Sequence, residues 1–188
     1  LSVRMAGEVA VLNRSVEVRF VDLFDPDFFF PPGDNNWGVK INVLSGGEAW
    51  LTGVRFRRSG WWYSPRDWRP ALNLESPFGI VRSCVWDHKS NSQAISIAAG
   101  NTIVDRNVVA HAVMSAIKIG VSNQVTVTNN LVLAGKCFDF NAGGCSKWNW
   151  HAANYDFRPG GMEGVTFVGN SAAGGVHGLI LSPGTPLA

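Results

Sequence analysis

Charge is scarce in this chain. Only 16% of its 188 residues are Asp, Glu, Lys or Arg, and 16 Lys+Arg against 14 Asp+Glu leave a formal charge of +2. The basic residues are scattered rather than grouped in a block that would track a phosphate backbone, so nucleic acid is not an expected partner. Long apolar runs are missing as well. The longest, such as Phe28–Phe30 and Leu131–Ala134, fall far short of the roughly 20 residues that cross a bilayer as a helix, and no membrane span is expected. Three cysteines without C-x-x-C spacing argue against a disulfide scaffold and a structural zinc site. No serine triad order, reactive-cysteine pattern or phosphate-cradling loop is present. Gly143-Gly144 and Gly160-Gly161 lack the strand-to-helix setting such a loop needs, and no cofactor is expected. The chain starts at Leu1 without a basic start, apolar run and cleavage site in order, which reads as a processed chain or a piece of a larger one.

What the chain does have is a globular composition, 46% hydrophobic and 11% aromatic with 21 glycines and 9 prolines, and an internal repeat. The runs Ile80–Val85, Ile103–Val108, Thr126–Leu131 and Thr166–Ser171 align, placing Cys84, Asn107 and Asn130 at steps of 23 residues and Asn170 40 residues later. A second series interleaves: Ala71–Leu74, Ala94–Ile97, Ala116–Ile119 and Gly178–Leu181. Each run alternates apolar with polar residues and stops at Gly, Asn or Ser, the pattern of short strands, and no amphipathic helix of ten or more residues interrupts them.

Several short strands per repeat, in register, describe one coil of a solenoid. The expectation is an all-β, right-handed parallel β-helix with coils of about 22–23 residues, forming a single domain over 1–188. An antiparallel sandwich also yields short strands and turns, but does not repeat one residue type at 23. Asn107, Asn130 and Asn170, with Cys84, are read as a ladder at a bend, where asparagine tolerates left-handed backbone angles. The stretches Val39–Val43 and Ala49–Phe56 read as strands of earlier coils, with Val54 matching Cys84. Breaks in the repeat mark projecting insertions at about 24–37, 60–70 and 137–161.

From Glu8 onward the residues resemble a known family. Glu8-Val9-Ala10-Val11-Leu12-Asn13-Arg14-Ser15-Val16 is similar to the stretch that opens the β-helix region of fibrocystin, fibrocystin-L, the cell-surface hyaluronidase and the cell migration-inducing hyaluronan-binding protein. Trp37–Ile41, Leu51–Phe56, the coils through Val109 and Gly169–Gly174 follow in a similar order, so the resemblance spans most of residues 8–181. It implies a right-handed parallel β-helix within a large extracellular, cell-surface or ciliary protein. Where the hyaluronan-degrading relatives carry a histidine-rich strand, this chain reads Arg69-Pro70-Ala71-Leu72-Asn73-Leu74-Glu75. The imidazoles are absent there, so hydrolysis does not carry over.

The candidate residues follow from type and position. Trp61, Trp62, Tyr63 and Trp68 in one insertion, and Trp148 and Trp150 in another, suit stacking on sugar rings or anchoring a protein partner; covering the solenoid flank is the alternative. His88 and His111, 23 apart, fall on adjacent coils as a weak metal candidate, or as turn residues. Asp22, Asp25, Asp27 and Asp34 form an acidic loop without the EF-hand order. Asp67 and Glu75 are a nominal glycosidase-type carboxylate pair. Cys137 and Cys145 are read as a disulfide closing the third insertion, and Asn13-Arg14-Ser15 as a glycosylation sequon. The expected role is a non-catalytic extracellular structural and interaction module, with a carbohydrate-binding or carbohydrate-cleaving β-helix as the alternative. Its expected partners are flanking segments or neighbouring subunits, a glycan or an extracellular protein.

Overall fold

The computed structural model describes residues 16–19, 39–57, 59–64, 67–87, 93–98, 100–112, 115–120, 124–133, 153–157, 164–175 and 177–181, with backbone only for 19, 61–64 and 67–69. Strand β1 (Val16–Arg19) comes first. A coil then runs β2 (Ile41–Val43), β3 (Ala49–Thr52), β4 (Val54–Arg57). After a hairpin of β5 (Trp61–Ser64) and β6 (Asp67–Arg69), the second coil is β7 (Leu72–Leu74), β8 (Gly79–Arg82), β9 (Val85–Asp87). The third is β10 (Ile95–Ile97), β11 (Thr102–Asp105), β12 (Val108–Ala110), and the fourth β13 (Ile117–Ile119), β14 (Val125–Thr128), β15 (Leu131–Leu133). The fifth is β16 (Ala153–Phe157), β17 (Thr166–Val168), β18 (Ser171–Ala173), and β19 (His177–Leu181) begins another.

Like strands of successive coils pair in parallel. The first sheet is β2-β7-β10-β13-β16-β19, the second β3-β8-β11-β14-β17 and the third β1-β4-β9-β12-β15-β18. The chain visits the three sheets in that order on every turn, winding a right-handed parallel β-helix. No helix occurs among the described residues.

The alternation in the sequence explains which side chains enter the core. Leu72 and Leu74, Ile95 and Ile97, and Ile117 and Ile119 point inward from the first sheet and are fully buried, while Asn73, Ser96 and Lys118 between them stand on the outer face. Val81, Val104 and Val127 fill the second sheet's inner face; Phe56, Trp86, Val109 and Val132 fill the third's. Each such side chain contributes on the order of 2 kcal/mol of burial free energy, an upper bound because the unfolded chain is already partly compact. Aromatic contacts strengthen both ends. The Phe56 and Trp86 rings stack on adjacent coils with centroids 4.8 Å apart, and Phe167 meets Tyr155 and Phe157 edge-on at 5.0 and 5.3 Å.

Three details differ from the sequence expectations. The range 137–161, read as one insertion, contains β16, a core strand between β13 and β19. Leu179 therefore sits over Tyr155, which in turn sits over Ile117, so the run at 178–181 lies two coils beyond Ala116–Ile119. The stretch Ala49–Phe56 is broken at Gly53, whose φ of 69° turns the chain from the second sheet into the third. Within 60–70 the chain forms the antiparallel hairpin of β5 and β6, with a register shift between Trp62 and Ser64.

Candidate functional site

The corner between the second and third sheets carries a continuous column of side-chain hydrogen bonds. Asn130 Oδ1 accepts from both the backbone N–H and Nδ2 of Asn107, each at 2.9 Å, and Asn170 Oδ1 accepts from the backbone N–H and Nδ2 of Asn130 at 3.0 and 2.8 Å. Cys84 joins the column through its backbone N–H, which donates to Asn107 Oδ1 at 2.9 Å. The thiol is buried, and burial pushes its pKa up, so it sits in the column as a small apolar side chain. Tyr155 reaches across the interior from the first sheet and directs its hydroxyl to the carbonyls of Asn130 and Ser171, both at 3.0 Å. Burial pushes that phenol up and keeps it protonated.

The left-handed angle at this corner does not fall on the ladder asparagines, as the sequence suggested. It falls one residue earlier, on Gly53, Ser83, Arg106, Asn129 and Gly169, with φ between 52° and 69°. The division is physical: at 106–107, 129–130 and 169–170 the exposed residue turns the chain, while the following asparagine keeps its carboxamide in the stack. Outside this corner lies a polar cluster that the sequence reading missed. Asp105, only 6% exposed, accepts from Arg106 Nε (2.9 Å), Arg82 Nε (3.1 Å), Thr128 Oγ1 (3.0 Å) and Asn129 Nδ2 (3.1 Å). Desolvation raises its pKa, but the hydrogen bonds from Arg106, Asn129 and Thr128 outweigh this and hold it down at about 2. The register that stacks Arg82, Asp105 and Thr128 carries the signal for this cluster: a charge pair at the 23-residue spacing.

A second missed feature is Trp50 on the outer face of the second sheet. It is 66% exposed, donates from Nε1 to Glu48 at 3.3 Å and lies 5.3 Å from the Phe78 ring. On the first sheet, the outward-facing Asn154 and Asp156 are buried, and Ser115 Oγ donates to Asp156 at 2.9 Å. Lys118 is the register partner of Asp156.

The remaining corner, between the third and first sheets, receives every long connection. Segments 20–40, 58–71 and 134–152 all join a third-sheet strand to a first-sheet strand, whereas the other connections there, 88–94, 111–116 and 174–176, are short. These three connections thus begin and end at the same pair of sheets.

Among the sequence candidates, Trp61, Trp62, Tyr63, Trp68 and Asp67 lie on the hairpin strands within the 58–71 connection, where the backbone alone is described. Glu75 is exposed and accepts from Asn73 Nδ2 at 2.8 Å. His111 occupies a left-handed turn position, φ 59°. His88, Trp148, Trp150, Cys137, Cys145, Asn13, Asp22, Asp25, Asp27 and Asp34 lie outside the described residues. No group of three or more His, Cys, Asp or Glu is placed to hold a metal ion among the described residues, and no described helix is long and apolar enough to cross a membrane. No family model, curated protein or solved structure matches the chain.

Proposed function

We propose that this chain is a non-catalytic structural and interaction module of an extracellular or cell-surface protein of the fibrocystin kind. It acts as a stiff spacer with one edge given over to recognition. The observation that carries this reading is the placement of the three long connections. Each of them starts from a third-sheet strand and ends at a first-sheet strand, and Trp61, Trp62, Tyr63, Trp68, Trp148 and Trp150 all fall within these connections in the sequence. The opposite corner is closed by turns of one or two residues and the asparagine ladder. Aromatic side chains bury large areas at small entropy cost, which suits them to anchor a protein or glycan partner when a rigid scaffold positions their loops. The order of motifs that resembles the fibrocystin family supports a surface location, ciliary surfaces included.

A second reading, a carbohydrate-binding or carbohydrate-cleaving β-helix, is favoured by Trp50. Its exposed indole beside Glu48 offers a ring face and an acceptor together. A panel of polysaccharides that includes hyaluronan separates the two. The module is expected to release no new reducing ends from any of them. Turnover that disappears in Asp67→Asn overturns the non-catalytic reading, and glycan binding that disappears in Trp50→Ala moves the recognition surface to the second sheet.

A further inference from the structure

The asparagine column has a direction. Every carboxamide oxygen in it accepts from the coil before: Asn107 from Cys84, Asn130 from Asn107, Asn170 from Asn130. Every Nδ2 also donates back to that preceding coil, Asn107 to Val81 O and Asn130 to Val104 O at 2.9 Å, and Asn170 to Val127 O at 2.7 Å. One amide hydrogen thus points backward and the other forward to the next asparagine. At Asn170 the second hydrogen turns instead to Val168 O of its own coil, at 3.2 Å.

The apolar columns stop at the same end. Leu179 and Leu181 stand over Tyr155 and Phe157 in the inward register, yet they are 42% and 43% exposed, against 2% and 1% for the residues beneath them. Ala172, over the buried Val132, is exposed as well. Strands β17, β18 and β19 are each the last of their sheet.

We propose that this face docks a further parallel β-coil, drawn from outside residues 1–188, which sets an asparagine oxygen opposite Asn170 and apolar side chains over Leu179 and Leu181. With both Nδ2 hydrogens of Asn170 directed to Val127 O and Val168 O, its forward-pointing backbone N–H needs an acceptor oxygen at the column position, as Asn130 Oδ1 supplies to the Asn107 N–H. A second copy stacked head to tail would bring up its first described strand, β1, whose column residue is Val16, in register with Val54. Valine offers no side-chain acceptor. Two copies meeting tail to tail would set donor against donor. The occupant is therefore a coil of different sequence with asparagine in the column. This inference does not depend on the proposed recognition edge, which lies at another corner.

Amide exchange on the unmodified protein is the first test. With the face open, the Asn170 N–H is expected to exchange at least about tenfold faster than that of Asn130, the equivalent of losing one net hydrogen bond. Two extended chains then replace Ser182–Ala188 with a copy of Gly120–Leu133, completing the coil that β19 begins; one keeps asparagine at the copied ladder position and the other carries leucine there. The asparagine extension is expected to slow Asn170 exchange by about tenfold or more, and the leucine extension to leave it fast. Equal protection of Asn170 and Asn130 in the unmodified monomer overturns the proposal, as do equal effects of the two extensions. A concentration-dependent dimer that protects Asn170 would assign the face to a second copy, and overturn it too.

Discussion

Asn107 and Asn130, 23 residues apart in sequence, are joined twice: Asn130 Oδ1 accepts both the backbone N–H and the side-chain Nδ2 of Asn107, each at 2.9 Å. Both residues are buried, so neither donor has water to fall back on. Asn130→Leu removes that acceptor and the donor to Val104 O, leaving buried polar groups that cost about 1–3 kcal/mol each, for a total loss of about 3 kcal/mol or more. Asn170→Leu, at a half-buried site, is expected to cost less, about 1–2 kcal/mol. Urea unfolding of both variants checks the order; equal losses would mean that burial does not set the strength of the ladder.

Gly169 turns the fifth coil from the second sheet into the third at φ 68°, and a Cβ built there would lie 2.5 Å from Asn129 Oδ1. The Asn129 side chain cannot swing away freely, because its Nδ2 donates to Asp105. Gly169→Ala combines the left-handed penalty with the loss of that hydrogen bond. It is expected to destabilise by about 2 kcal/mol, read as a lowered urea midpoint at unchanged slope. Ser83→Gly, at the same corner position, relieves a left-handed angle and is expected to be neutral or mildly stabilising.

Asp105 gives the protein an acid-sensitive point. Its folded pKa is held at about 2, below the ordinary carboxylate value near 3.8. The folded state thus binds its proton less readily than the unfolded chain. The contribution is complete above about pH 4 and fades as pH falls toward 2. Part of the lowering comes from Arg106, itself exposed, so salt should weaken the effect. Asp105→Asn is expected to flatten stability between pH 4 and 2. An unchanged acid limb would show that the cluster does not act on folding.

Trp86 stacks on Phe56 with the rings within 1° of parallel, but its buried Nε1 has no hydrogen-bond partner. Trp86→Phe keeps an aromatic stack, leaves a cavity and removes an unsatisfied donor. The last two effects oppose each other at about 1–3 kcal/mol each, so the net change in thermal unfolding is expected to stay within about 1 kcal/mol. Trp86→Ala, which loses the stack and most of the volume, is expected to cost about 3–5 kcal/mol.

The sequence made the coils legible wherever a strand kept one face inward. Leu72-Asn73-Leu74, Ile95-Ser96-Ile97 and Ile117-Lys118-Ile119 repeat apolar-polar-apolar at nearly constant spacing, and the structure stacks them in register. Strand β16 hid itself because both of its faces are buried: Asn154 and Asp156 are covered outside while Tyr155 and Phe157 fill the core. Alternation then carried no contrast, and the long connection before it broke the count. The left-handed corner residue was misassigned because asparagine suits both positions; at 129–130 it occupies the turn and the ladder in succession. Trp50 escaped notice because a single tryptophan in a strand reads as core, and only the register shows it facing outward beside Ile80.

Successive coils stack in register through the asparagine column, and scalar couplings across hydrogen bonds read that stacking directly in solution. In uniformly labelled protein, couplings are predicted from the backbone nitrogens of Cys84, Asn107 and Asn130 to the side-chain carboxamide carbons of Asn107, Asn130 and Asn170, in that order. Absence of all three, with contacts that place Asn107 and Asn130 on different sheets, would contradict the β-helix and the ladder together.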